Sequence, residues 1–404
     1  MYDYILKGTV IDGVSDQPLP DGLVAVKGEK LVYVGPAAGF EIPEGVPVYT
    51  SATILPGFMD CHIHLNGGED AGDLGDNAAF GDLLLGSAYQ AGILLDAGFT
   101  SVRDMSEQGF YLARAQSRGI LRGPRVMPGG RCLGVTGGHG DDGPQLTKEE
   151  INQKASTCVL CDGVDECTLA ARQQFRKGAK FIKIFATGGV SSPTDGVDDV
   201  QFSFEEIKAI VDEAKRHHTY VTAHCTGNEG AYQAMLAGVT CIEHGVMLTQ
   251  REIDLMAEKN IPLVSTLYVS HLCANLKGPA WFMEKASKCY AANVKTIEMA
   301  RKAGIRIALG TDFSNSRGTP YRHEGREFVA MVNAGMTPME AIKAGTINSA
   351  YVMRTDDRLG SLEVGKLADV VLVDGDPISD IQVLADADHV KLVMQGGKIV
   401  KNTL

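Results

Sequence analysis

No run in this 404-residue chain approaches the ~18 consecutive apolar residues of a membrane span. The first residues, Met1-Tyr2-Asp3-Tyr4-Ile5-Leu6-Lys7-Gly8, lack the basic and apolar regions of a secretory signal and read as a strand entering a turn. Positive charge is in deficit: 38 Lys and Arg against 50 Asp and Glu leave a net charge of -12. That balance excludes the broad cationic surface that nucleic acid or an anionic membrane requires, and says little about small substrates. Nine cysteines cannot all pair within one chain, and Cys61, Cys225 and Cys241 fall inside apolar strand-like runs. Free thiols in a reducing compartment fit this best, so a cytoplasmic location is expected. Cys158, Cys161 and Cys167 cluster like part of a zinc knuckle, but no fourth ligand follows at knuckle spacing.

A hydrophobic fraction of 44% is enough to bury a large core, and the length allows two or three domains or one large α/β barrel with additions. Residues 1–54 alternate short β-like runs with Gly, Asp and Pro turns, and residues 361–404 repeat that style, with Gly396-Gly397 as a hairpin turn. The two ends are expected to join as one discontinuous β-sandwich domain. Between them, residues 55–360 alternate strands and amphipathic helices. The strand candidates are 58–65, 100–105, 126–131, 181–186, 220–225, 240–245, 262–266 and 306–312. Gly98, Gly178, Gly238 and Gly304 each stand between a helical pattern and the next strand, where a left-handed cap is needed. Eight strand–helix units predict a (β/α)8 TIM-like barrel, with an open doubly wound sheet as the alternative.

Barrel chemistry sits at the C-terminal ends of the strands. Here His62 and His64 end the first strand, one residue apart and therefore on one face. His224 ends the fifth, His244 the sixth and Asp312 the eighth, while Lys183 lies within the fourth. Histidine and carboxylate side chains converging on one rim suit a transition metal. Lys183 sits among Ile and Phe, where an isolated ammonium loses its hydration. Either its stem is buried and its head reaches solvent, or the neutral amine has reacted with carbon dioxide. The carbamate so formed is a carboxylate able to bridge two divalent ions. A water shared by two such ions ionises near neutral pH, and Asp312 could take its proton and pass it to a leaving amine. The chemistry implied is metal-assisted hydrolysis of an amide, cyclic amide or ester.

The chain resembles the amidohydrolase superfamily, and within it the prolidase-like binuclear dipeptidases related to imidazolonepropionases. The resemblance spans nearly the whole chain. It rests on Leu55-Pro56-Gly57-Phe58-Met59-Asp60-Cys61-His62-Ile63-His64, Gly137-Gly138-His139-Gly140-Asp141, Cys161-Asp162-Gly163, Thr187-Gly188-Gly189-Val190, Ile242-Glu243-His244-Gly245 and Gly310-Thr311-Asp312. It implies that His62, His64 and Asp312 hold one metal and His224 and His244 the other, with carboxylated Lys183 as bridge. It also implies that His139 faces the substrate carbonyl. Gly189 would let the backbone approach the substrate, and Tyr268 is a candidate contact. Zinc is the default metal, and manganese or cobalt suit the same ligands. Where many prolidase-like relatives carry Tyr, two positions after the fifth-strand histidine, this chain has Thr226. The metal set is thus kept while the basis for proline-dipeptide specificity is altered.

The expectation is a metal-dependent dipeptidase or carboxypeptidase that releases a C-terminal amino acid. It would take a small amide or dipeptide substrate and form a homo-oligomer, with no nucleic-acid or membrane partner. The alternatives are a cyclic amidohydrolase or deaminase, an N-acyl amino acid amidase, and, since all six ligands are kept, last of all a non-catalytic dihydropyrimidinase-like scaffold. Arg103-Asp104 is expected to be a structural ion pair beneath the site.

Overall fold

The computed structural model of the chain describes residues 2–67, 79–141, 143–153, 158–314 and 321–404. The N-terminal part supplies β1 (Tyr4–Val10), β2 (Leu19–Lys27), β3 (Lys30–Pro36) and β4 (Val48–Pro56). Next come β5 (Phe58–Ile63), β6 (Phe99–Asp104), β7 (Arg125–Pro128), β8 (Cys132–Gly134) and β9 (Cys158–Leu160). They are followed by β10 (Ile182–Phe185), β11 (Val221–Cys225), β12 (Ile242–His244), β13 (Leu263–Ser265) and β14 (Ile307–Leu309). The C-terminal part adds β15 (Val370–Val373), β16 (Val390–Gln395) and β17 (Lys398–Asn402).

The two ends of the chain form one seven-stranded sheet in the order β17-β16-β15-β4-β1-β2-β3. Antiparallel pairing of β15 with β4, Val370 opposite Pro56 and Leu372 opposite Ile54, joins them. Their alternate apolar side chains, including Leu6, Val24, Ile54, Leu372 and Leu392, bury one face together.

The middle of the chain builds two parallel sheets, β5-β6-β7 and β14-β13-β12-β11-β10-β8-β9. They meet where the amide of Asp312 donates to His62 O at 2.7 Å and that of His64 to Phe313 O at 2.9 Å. On the other side, the amide of Lys180, ahead of β10, donates to Pro128 O at 2.8 Å. The expected third strand is two strands rather than one. β7 pairs with β6 and β8 with β10, and the chain steps from one ladder to the other at Gly129-Gly130.

The helices follow from local signals. In the helix Phe204–Arg216, Ser203 and Glu206 form a reciprocal cap, and Ile207, Ile210, Val211 and Ala214 make one buried stripe at helical spacing. Gly98, Gly178, Gly238 and Gly304 all take positive φ at helix ends, so each returns the chain into the following strand. No helix among the described residues is long and apolar enough to cross a membrane.

Candidate active site

Alternation along β5 puts His62 and His64 on one side, with ring centroids 5.5 Å apart. Asp312, just past β14, brings its Oδ1 to 3.0 Å from His64 Nε2 and 3.3 Å from His62 Nε2. Lys183 on β10 is buried, with Nζ 3.3 Å from His62 Nε2 and 3.4 Å from Met105 Sδ. The rings of His62 and His244 lie 4.8 Å apart, those of His244 and His224 4.6 Å. All six expected ligand residues therefore gather at one end of the parallel strands. Asp312 at φ 58° and His244 at φ 64° hold left-handed backbone, a strained conformation typical of functional positions.

Beneath them lies a buried layer that sequence reasoning missed. His62 Nδ1 is 2.8 Å from Glu243 Oε2. The other oxygen of Glu243 accepts from the Arg103 guanidinium and the Thr222 hydroxyl. Burial alone would raise the Glu243 carboxyl, but Arg103 and His62 hold it well below the usual carboxylate range. Arg103 thus pairs with Glu243 and not with Asp104, because neighbours on a strand face opposite ways. Asp104 instead accepts the Leu65 amide at 2.6 Å and the Ser106 hydroxyl at 2.7 Å. Asp60 accepts the Thr311 hydroxyl at 2.6 Å and the His62 amide at 2.9 Å, tying β5 to the turn that carries Asp312. The signal available in the sequence was a lone carboxylate, Glu243, within an otherwise apolar strand.

His139 stacks on His224 with centroids 4.6 Å apart and meets the edge of Phe185 at 5.2 Å. A Cβ on Gly189 would run into the His139 imidazole, so this glycine seats the histidine. His139 Nδ1 lies 2.8 Å from Ser192 Oγ, and Ser192 in turn donates to Asp195. Asp195 pairs with Lys285, whose ammonium also donates to Ser192 O at 2.7 Å and Gly189 O at 3.1 Å. Burial pushes the His139 pKa down to about 4, so the ring is neutral at pH 7. Thr226 Oγ1 is 3.1 Å from His224 Nε2, and Thr266 Oγ1 is 2.7 Å from His244 Nδ1.

A profile described as the amidohydrolase family matches residues 53–400. The chain belongs to the amidohydrolase family. Ochratoxinase from Aspergillus niger is 34% identical over 98% of this chain and 86% of its own length. A prolidase structure complexed with N-methylphosphonate-L-proline superposes with TM-score 0.87 at 31% identity, covering 99% of both chains. A Xaa-Pro dipeptidase with bound methionine in its active site gives TM-score 0.87 at 30% identity, covering 99% of this chain and 100% of that one. Membership makes the chain a hydrolase acting on carbon–nitrogen bonds.

The amidohydrolase residues line a basin of about 310 Å³ that includes His62, His64, Lys183, His224, His244 and Asp312. The donor set fits a divalent ion. Ligand atoms of His62, His64 and Asp312 all lie within 4.8 Å of one another. Glu243 takes the Nδ1–H of His62, so a metal bound at Nε2 would find that nitrogen's lone pair beside the Asp312 carboxylate. Among the described residues no other cluster of this kind occurs, so Cys158, Cys161 and Cys167 do not converge on a metal, although the sulfurs of Cys161 and Cys167 stand 3.7 Å apart.

Tyr268 packs against Phe313, the residue after Asp312, with ring centroids 5.9 Å apart. Its hydroxyl accepts from Arg326 at 2.6 Å, and its side chain lines a separate hollow with His271 and Tyr290. The helix Leu267–Asn275, which carries Tyr268, begins directly after β13. A separate cleft of about 670 Å³ beside Arg125, Lys180 and Arg354 contains none of the six ligand residues.

Proposed function

We propose that this amidohydrolase cleaves the amide bond of dipeptides and N-acyl amino acids and releases the C-terminal amino acid. The reading is carried by Lys183, a fully buried amine 3.3 Å from His62 Nε2. Its partners there are an imidazole and a thioether. Nζ sits beside His62 Nε2, which also meets Asp312, so a carbamate on it would complete a ligand set for two divalent ions, zinc by default. His62, His64 and Asp312 would hold one ion and His224 and His244 the other, within a closed eight-stranded barrel of residues 55–360. Residues 1–54 and 361–404 would form the accessory β domain. Bound there, the ions would polarise the scissile carbonyl and lower the pKa of a water between them.

The remaining roles belong to the chain. Burial opposes ionisation of Asp312, but the histidines around it, His64 at 3.0 Å among them, hold its pKa well below the ordinary range, so it is a carboxylate at neutral pH. It accepts the proton of the attacking water and returns it to the nitrogen of the leaving amine. Ser192 spends its hydroxyl hydrogen on Asp195, so the 2.8 Å contact makes His139 Nδ1 the donor and leaves Nε2 bare. In that tautomer His139 accepts a substrate N–H, and it polarises a carbonyl only when protonated. The substrates of ochratoxinase, prolidase and Xaa-Pro dipeptidase support the amide class, and Thr226 lines the site where the proline preference would differ. The direct test is incubation of metal-loaded protein with dipeptides and N-acyl amino acids, reading free amino acid. Release supports the proposal, and none across the series overturns it.

A further inference from the structure

The basin opens on one side into a second hollow of about 180 Å³ that shares His139, His224, His244 and Asp312 with it. Its walls are largely apolar, with the hydroxyls of Ser191, Thr226, Thr266 and Ser270 among them. Ala286 and Cys289 come from the helix Ala280–Lys302, Val269 and Cys273 from the helix Leu267–Asn275, and Val190 and Val246 from the loops after β10 and β12. Asn293 joins Ala286 and Cys289 at spacings of three and four, so the three residues form one stripe of that helix facing the hollow. Asn293 has no exposed surface, and neither its Oδ1 nor its Nδ2 has a hydrogen-bond partner among the described residues. Thr296, one turn on, shows the contrast: its hydroxyl donates to Val246 O at 2.9 Å. A buried amide with both ends unpaired is rare in a native fold and calls for an explanation. Among the described lining residues the hollow holds no lysine or arginine, and its sole carboxylate is Asp312 at the shared boundary.

We infer that this hollow is a specificity pocket for one uncharged substrate side group bearing a carboxamide, recognised by Asn293. This rests on the amide-hydrolase reading above and deepens it. A primary amide offers one acceptor and one donor, which is what Asn293 lacks, and its aliphatic stem suits the valine, alanine and cysteine walls. A carboxylate of the same shape would find no lysine or arginine among the described lining residues at the Asn293 end and lose its hydration there. An aliphatic group would fit by size but leave the asparagine unsatisfied. Glutamine or asparagine at one side of the scissile bond is therefore favoured over leucine and over glutamate.

The test is a matrix of dipeptides with Leu, Gln, Asn or Glu at each side, followed by turnover and, independently, by calorimetric binding to wild type, Asn293→Leu and Asn293→Ala. At one side of the bond, wild type should prefer Gln over Leu. Asn293→Leu should lower that preference by about tenfold or more, with Leu substrates kept or improved. Asn293→Ala, which adds no bulk, should move the ratio the same way. An unchanged Gln-to-Leu ratio in both variants, or an equal loss for all substrates, would make Asn293 structural and overturn the inference. Gln-selective binding without turnover would instead fault the hydrolytic reading and leave the recognition standing.

Discussion

Glu243 Oε2 stands 2.8 Å from His62 Nδ1, with both side chains buried. That contact orients the His62 ring, so its other nitrogen faces Asp312 and Lys183. Arg103, Glu243 and His62 form a chain of charged contacts running from beneath the parallel strands to the site. Its function is orientation, because an unpaired partner in this layer would be costly.

Glu243→Gln should therefore weaken zinc binding by about 10–100-fold, measured by competition with a chelator. It also strands the Arg103 guanidinium, costing about 3–5 kcal/mol of stability, visible in a thermal melt. Adding Arg103→Met should recover much of the stability and little of the zinc affinity. Recovery of both together would mean that the layer serves packing alone.

Ser192→Ala removes the acceptor that holds the His139 Nδ1–H. The imidazole can then adopt either tautomer, so kcat/KM should fall about tenfold while the melting temperature stays near that of wild type. Proton-resolved NMR of the ring should show two tautomers in the variant against one in wild type. One unchanged tautomer with unchanged kinetics would remove Ser192 from the account.

Glu324 is fully buried, and burial raises its carboxyl to about 8, against an ordinary 4.5. The folded chain then keeps a proton that the unfolded chain releases between those values. Stability should be greatest below the lower value and decline as pH rises through the window, by about 1.4 kcal/mol per pH unit for one proton. Glu324→Gln can still accept the Arg322 amide and should flatten the dependence, so its advantage over wild type grows from pH 5 to pH 8. Melting curves across that range decide it, and parallel curves for the two proteins would count against the assignment.

Much of this was legible in the sequence. The glycines at 98, 178, 238 and 304 marked the helix-to-strand passages, and period-two spacing set His62 beside His64. The break at Gly129-Gly130 was not legible, because it depends on which neighbour each half-strand pairs with. Arg103 was assigned to its sequence neighbour when its partner lies 140 positions away, across the strands. The helix Leu267–Asn275 that carries Tyr268 had no clear pattern in the sequence. Asn293 looked like one polar residue on a long helix, and its place on a buried stripe emerged only once the helix was packed.

The account turns on Lys183 as a carbamate bridging two ions. Elemental analysis of purified, metal-loaded protein, wild type beside Lys183→Ala, tests it most directly. The prediction is about two divalent ions per chain in wild type, and one or fewer in the variant with most turnover lost. One ion per chain in wild type, unchanged in Lys183→Ala with activity intact, would contradict it.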